Sequence, residues 1–135
     1  MILSGRLQRW RPLLRWGAGV GVAGLLALAN VHAREHAPPS AIVRISELPA
    51  EAQLVDRAIR SGGPFAYPKD GIVFANREHI LPLKRRGFYR EYTVATPGAR
   101  DRGPRRIVCG GTQPAAPVAC YYSNDHYASF HRITP

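Results

Sequence analysis

One stretch of this chain carries a helical period that no later stretch matches, and everything after it is cut into short pieces. Residues 49–60 (PAEAQLVDRAIR) set Ala52, Val55 and Ile59 at steps of three and four, with an acid early, Arg60 late and Gly62-Gly63 following. That predicts a single amphipathic helix. Beyond it, Gly, Pro and Asn separate β-rich segments at residues 72–75, 88–94, 105–109, 119–122 and 128–132. With residues 42–45 opening the ordered part, the class is α+β, one helix against strands joined by turns of the antiparallel kind.

Charge sharpens the reading. The 135 residues carry 19 Lys plus Arg against 9 Asp plus Glu, a formal +10 that suits a polyanionic partner. Residues 1–33 hold Arg6, Arg9, Arg11 and Arg15 and no acid, then an uncharged run that ends in two small-x-small sites, at Ala29 and Ala33. This is the pattern of a secretory signal peptide, since the apolar run falls short of the roughly 20 residues of a bilayer span. An uncleaved membrane anchor is the alternative. Cleavage after Ala33 takes 33 residues and four arginines away, leaving 102 residues with 15 basic and 9 acidic groups, or +6. Residues 34–41 are polar and Pro-containing, a flexible leader before the domain at 42–135. A secreted, extracellular chain meets oxidising conditions, so Cys109 and Cys120 are expected to pair across a short loop.

Four places hold polar residues able to do chemistry: Asn76-Arg77-Glu78, Glu91, the cluster Arg100-Asp101-Arg102 with Arg105-Arg106, and Asp125-His126-Tyr127. In segment 88–94, strand alternation puts Tyr89, Glu91 and Thr93 on one face and Phe88, Arg90, Tyr92 and Val94 on the other. Cleaving a phosphodiester with a neighbouring 2′-hydroxyl needs a base for that hydroxyl, an acid for the leaving 5′-oxygen and fixed positive charge at phosphorus. A carboxylate, an imidazole and arginines meet that need without metal or cofactor. His126 and His131 stand five apart and would face opposite sides of one strand, and His79 stands alone, so no metal site is expected. Glu78 and Glu91 would also suit glycoside hydrolysis, a reading that leaves the arginines idle.

Three segments carry a more specific signal: GPFAYPKDGIVFANRE (63–78), GFYREYTVATPGARDRGPRRIV (87–108) and CYYSNDHYASF (120–130). Together and in this order they closely resemble the bacterial guanyl-specific ribonucleases of the barnase and streptomycete type. The resemblance runs from about Leu48 to Ile133. It implies one helix packed on an antiparallel sheet, with the active site on the sheet face turned away from the helix.

Carried over by residue, Glu91 matches the family's general base and His126 its general acid, with Arg102 and Arg106 as the phosphate-binding pair. Tyr127 matches a tyrosine that helps hold the phosphate. Glu78 matches the acid that accepts the N1 and N2 hydrogens of guanine, and the main chain of Ala75, Asn76 and Arg77 completes the base site. Phe74 either packs beneath that site or is an ordinary core residue. Many streptomycete relatives carry a long-range disulfide near the domain ends; here the two cysteines would clamp a hairpin instead. The implied partner is RNA, with a small acidic inhibitor of the barstar type as a further candidate, and the implied state is a monomer free of membrane after processing. The rival from another class is a non-catalytic RNA-binding module of the same fold.

Overall fold

The computed structural model describes residues 41–135. The expected signal peptide at 1–33 and nearly all of the leader at 34–41 lie outside the described residues. Ala41, the last leader position, is already tied in, its carbonyl accepting the Arg132 N–H at 2.8 Å. Strand β1 (Ile42–Arg44) passes through a single 3-10 turn (Ile45–Glu47) into helix α1 (Ala50–Ser61), and strands β2 (Ile72–Val73), β3 (Tyr89–Thr93), β4 (Arg106–Gly110), β5 (Ala119–Ser123) and β6 (His131–Thr134) follow.

The helix forms where the period places it. Ala52 and Ile59 are fully buried and Val55 packs beside them. Glu51 in the first turn and Arg60 in the last complement the helix dipole. Gly62, at φ 77°, supplies the left-handed residue that ends it: Gly62 N–H donates to Ile59 O and Gly63 N–H to Ala58 O, a Schellman closure. Asp56 also lies on the buried face, a position the apolar period does not mark, and is compensated by Arg60 Nε at 2.9 Å.

The six strands run β1-β6-β5-β4-β3-β2. Every neighbouring pair is antiparallel except β1 and β6, which are parallel, so the expected antiparallel sheet gains one parallel edge. The expected strand at 128–132 starts later, at His131, because residues 125–129 close on themselves through side-chain hydrogen bonds.

Alternation then divides the sheet. Tyr92, Val94, Ile107, Cys109, Cys120 and Tyr122 face α1 with Leu48, Ala52 and Ile59. Tyr89, Val108 and Tyr121 face the other way and gather Leu81 and Phe130. Cys109 and Cys120 are opposite each other in the β4–β5 register, and they form the expected disulfide on the helix side. Asp70 fixes the connection into β2 by accepting the Thr93 N–H at 2.7 Å and the Tyr67 N–H at 3.2 Å.

Candidate active site

On the face away from α1, β3 offers Glu91 and Thr93 and β4 offers Arg106, while loops from both ends of the sheet close around them. A cleft of about 710 Å³ is lined by Phe74, Ala75, Asn76, Arg77, Glu78, Glu91, His126 and Tyr127, with Val73, Ile80, Ala128 and Phe130 completing it. The loop carrying residues 74–81 is built around Asn76. Its side chain is buried, accepting the Leu81 N–H at 3.1 Å and donating to Leu81 O at 2.8 Å, so it shapes the loop from inside. Asn76 tolerates the left-handed φ of 48° this pinch requires. Glu78 and Arg77 stand exposed on the loop, and Phe74 packs its ring 5.1 Å from that of Tyr127. Phe74 is thus both a floor of the cleft and part of the aromatic packing behind it.

The arginines part company. Arg106 is 3% exposed, yet its guanidinium has no ion-pair partner among the described residues. It is held by neutral acceptors: Nη1 donates to Gly103 O and Arg105 O, both at 2.7 Å, and Nε to the Tyr127 hydroxyl at 3.1 Å. A buried cation satisfied only by carbonyls and a phenol lacks the counter-charge that burial demands, which makes it a receptor for an anion. Gly103 is required for that cage. At φ 60° its missing Cβ leaves room for the Thr96 side chain that packs against it. Arg102 reaches Glu91 at 3.4 Å and is anchored by Thr93 Oγ1, which accepts from Nη2 at 2.7 Å and Nε at 3.0 Å. Arg105 instead turns to the helix side, 3.9 Å from Glu51, and Arg100 is exposed.

His126 and Tyr127 are consecutive residues in the left-handed region, at φ 59° and 70°. Such backbone costs of order 1–3 kcal/mol per residue and persists only where its surroundings enforce it. Here the His126 N–H donates to Pro104 O at 3.1 Å and the Tyr127 N–H to Ser123 Oγ at 3.0 Å. The two rings stack, centroids 5.4 Å apart. Burial and then the nearby Glu91 carboxylate push the Tyr127 phenol up, so it stays protonated as a donor beside Arg106.

Of the sequence candidates, Arg100 and Arg105 stay outside, while Phe74, Ala75, Asn76, Arg77, Glu78, Glu91, His126 and Tyr127 line one cleft and Arg102, Arg106 and His126 line a second hollow of about 440 Å³. Lys84, Arg85 and Arg86 are exposed outside the cleft lining, Lys84 over the Phe88 ring. His131 is on β6 and His126 in a turn, and no group of three or more His, Cys, Asp or Glu suited to a metal occurs among the described residues. Sequence reasoning missed Thr93 as the anchor of Arg102 and Ser123 and Ser129 as supports of the His126 turn. Thr93 could have been found, since it follows Glu91 by one strand period.

A family model described as ribonuclease matches residues 33–134. The chain belongs to this ribonuclease family. Guanyl-specific ribonuclease Sa of Kitasatospora aureofaciens is 51% identical over 94 residues, covering 70% of this chain and 94% of the relative. Guanyl-specific ribonuclease St of Saccharopolyspora erythraea is 49% identical over 92 residues, covering 68% and 85%. A crystal structure of ribonuclease Sa2 with guanosine-2′-cyclophosphate superposes with a TM-score of 0.63 at 47% identity, covering 70% of this chain and 96% of that one. The fold is the α+β microbial ribonuclease fold of these relatives.

Proposed function

We propose that the chain is an exported endoribonuclease that cleaves single-stranded RNA on the 3′ side of guanosine, through a 2′,3′-cyclic phosphate and without a metal. The observation that carries this reading is Arg106, a buried guanidinium without a counter-ion among the described residues, beside a cleft that also holds a carboxylate and an imidazole. An RNA phosphate supplies the missing charge.

In the first step Glu91 takes the proton of the ribose 2′-hydroxyl, whose oxygen attacks phosphorus. The P–O5′ bond breaks as His126 delivers a proton to the departing 5′-oxygen, leaving a cyclic phosphate. Arg102 and Arg106 meet the negative charge that builds on the non-bridging oxygens, joined by the Tyr127 hydroxyl. In the second step the roles reverse: His126 takes a proton from water, which opens the ring, and Glu91 returns one to the 2′-oxygen. Acid and base acting together give a bell-shaped pH dependence. Base, acid and positive charge all come from side chains, which supports metal independence.

Glu78, exposed on the 74–81 loop and lining the cleft, accepts the N1 and N2 hydrogens of guanine in this reading. Adenine presents an acceptor there, leaving the carboxylate unpaired at a cost of about 1–3 kcal/mol. Ribonuclease Sa2 is described in complexes with mononucleotides, and its likeness supports a nucleotide site here. The leader pattern and the Cys109–Cys120 disulfide support export. A monomer restrained by a small acidic inhibitor fits the chain's net positive charge. Digestion of GpN, ApN, CpN and UpN dinucleotides with chelator present tests the reading. Release of cyclic guanosine phosphate from GpN alone is expected; chelator-sensitive cleavage, or binding without cleavage, overturns it.

A further inference from the structure

His126 lacks the orienting partner a general acid usually has: its imidazole makes no hydrogen bond to protein among the described residues, and only its backbone N–H is held, by Pro104 O at 3.1 Å. Its direction comes from the chain that carries it and from the stack of its ring on Tyr127, which the same chain segment holds. That chain is knotted through Asp125. The Ser123 hydroxyl donates to Asp125 Oδ1 at 2.9 Å, the Ser129 N–H to the same oxygen at 2.9 Å, and the Ser129 hydroxyl to Asp125 Oδ2. Ser123, fully buried at the end of β5, uses its Oγ at the same time to accept the Tyr127 N–H at 3.0 Å. One carboxylate thereby links the residue that leaves β5, the residue two before β6 and the strained pair between them.

We propose that Asp125 is the positioning residue of the ribonuclease reaction, acting through the turn that holds His126 and Tyr127 in their left-handed conformations. This rests on the reading of His126 as the general acid. Burial disfavours the charged carboxyl, but the bonds from Ser129 and Ser123 outweigh it and hold the group below its ordinary range, so the knot is made by an ionised acceptor at neutral pH. Without it, the two left-handed residues relax toward ordinary backbone and the imidazole leaves the scissile bond. A displacement near 1 Å in such a group costs about a hundredfold in rate.

The test is a double-mutant cycle on GpC, comparing Asp125→Ala, Asp125→Asn, His126→Ala and the Asp125→Ala/His126→Ala pair, each verified folded by near-ultraviolet circular dichroism. The expected result is a fall in kcat of about 10–100-fold for Asp125→Ala with KM changed by less than about threefold, since the base loop at 74–81 is held by its own Asn76–Leu81 bonds and meets the turn through the Phe74–Tyr127 ring contact. Asp125→Asn keeps one acceptor oxygen and should recover part of the rate. In the His126→Ala background, Asp125→Ala should cost much less, only the part that passes through Tyr127. An equal loss in both backgrounds, or wild-type kcat in folded Asp125→Ala, overturns the positioning role while leaving His126 as the acid. Wild-type cleavage by His126→Ala overturns both. If Asp125→Ala does not fold, Ser129→Ala removes a single hydroxyl and must show the same non-additivity on a smaller scale.

Discussion

The two faces of the sheet are made from alternate residues of the same strands, and they meet opposite demands. On β4, Ile107 and Cys109 look toward α1, into a cluster closed by a disulfide; Arg106 and Val108 look toward the cleft. The helix side holds the larger apolar cluster and the disulfide. The cleft side holds what costs stability: a buried cation with no counter-ion among the described residues, and two consecutive left-handed residues. An aromatic cluster around Tyr89, Tyr121 and Phe130 gives those groups a floor, and Tyr89, whose hydroxyl donates to Pro82 O at 2.7 Å, is pushed up to about 12 by burial and then by Tyr121. The reacting groups and the helix-side core are thus separated by one residue of strand period, which predicts that each can be altered with little effect on the other.

The strongest way to break this division is at the reacting groups. Glu91→Gln and His126→Ala should each lower GpC cleavage by about 10²–10⁴-fold. Their melting temperatures should move by less than about 4 °C, the shift of roughly one kcal/mol. A large loss of stability in either would merge the two faces. From the other side, Ile59→Ala should cost about 2–5 kcal/mol in urea unfolding. Its kcat, measured where the variant is folded, should stay within about twofold of wild type. Replacing Cys109 and Cys120 together by Ala removes a link of sequence separation 11, worth about 2.5–3 kcal/mol in the chain-entropy model, again with kcat unchanged.

The smallest effect is a pH dependence that puts one stabilising ion on the cleft side. The folded Asp125 carboxyl lies below its ordinary value of 3.8, so its contribution is complete above that value and is lost as pH falls through the folded one. Urea midpoints of wild type and Asp125→Asn should differ by a constant amount above about pH 5 and converge in stronger acid. A gap that widens on acidification would refute the assignment.

Much of this was legible in the sequence because it depends on local period. Ala52, Val55 and Ile59 announce the helix, and the alternation of Tyr89, Glu91 and Thr93 announces the cleft face of β3. The functional residues came from three motifs in order, and the resemblance that carried them covers nearly the whole described domain. What could not be read is what side chains do to backbone at a distance. The parallel pairing of β1 with β6 joins residues about ninety apart over only three positions, too short for any pattern to reveal. The late start of β6 follows from the Asp125–Ser129 bonds, which capture residues that otherwise have ordinary strand spacing. Asp56 was hidden for a similar reason: its burial is tolerated through one partner a turn away, and the apolar period does not mark it.

The carbonyl cage around Arg106 has a practical consequence at the bench. Sulfate and inorganic phosphate are tetrahedral, compact and doubly charged, and nothing in the cage distinguishes them from a nucleic acid backbone. Protein salted out of ammonium sulfate should therefore resist heat and turn over slowly at the same time, because one occupant favours the native state and blocks the reactants. Dialysis into a chloride buffer should reverse both together.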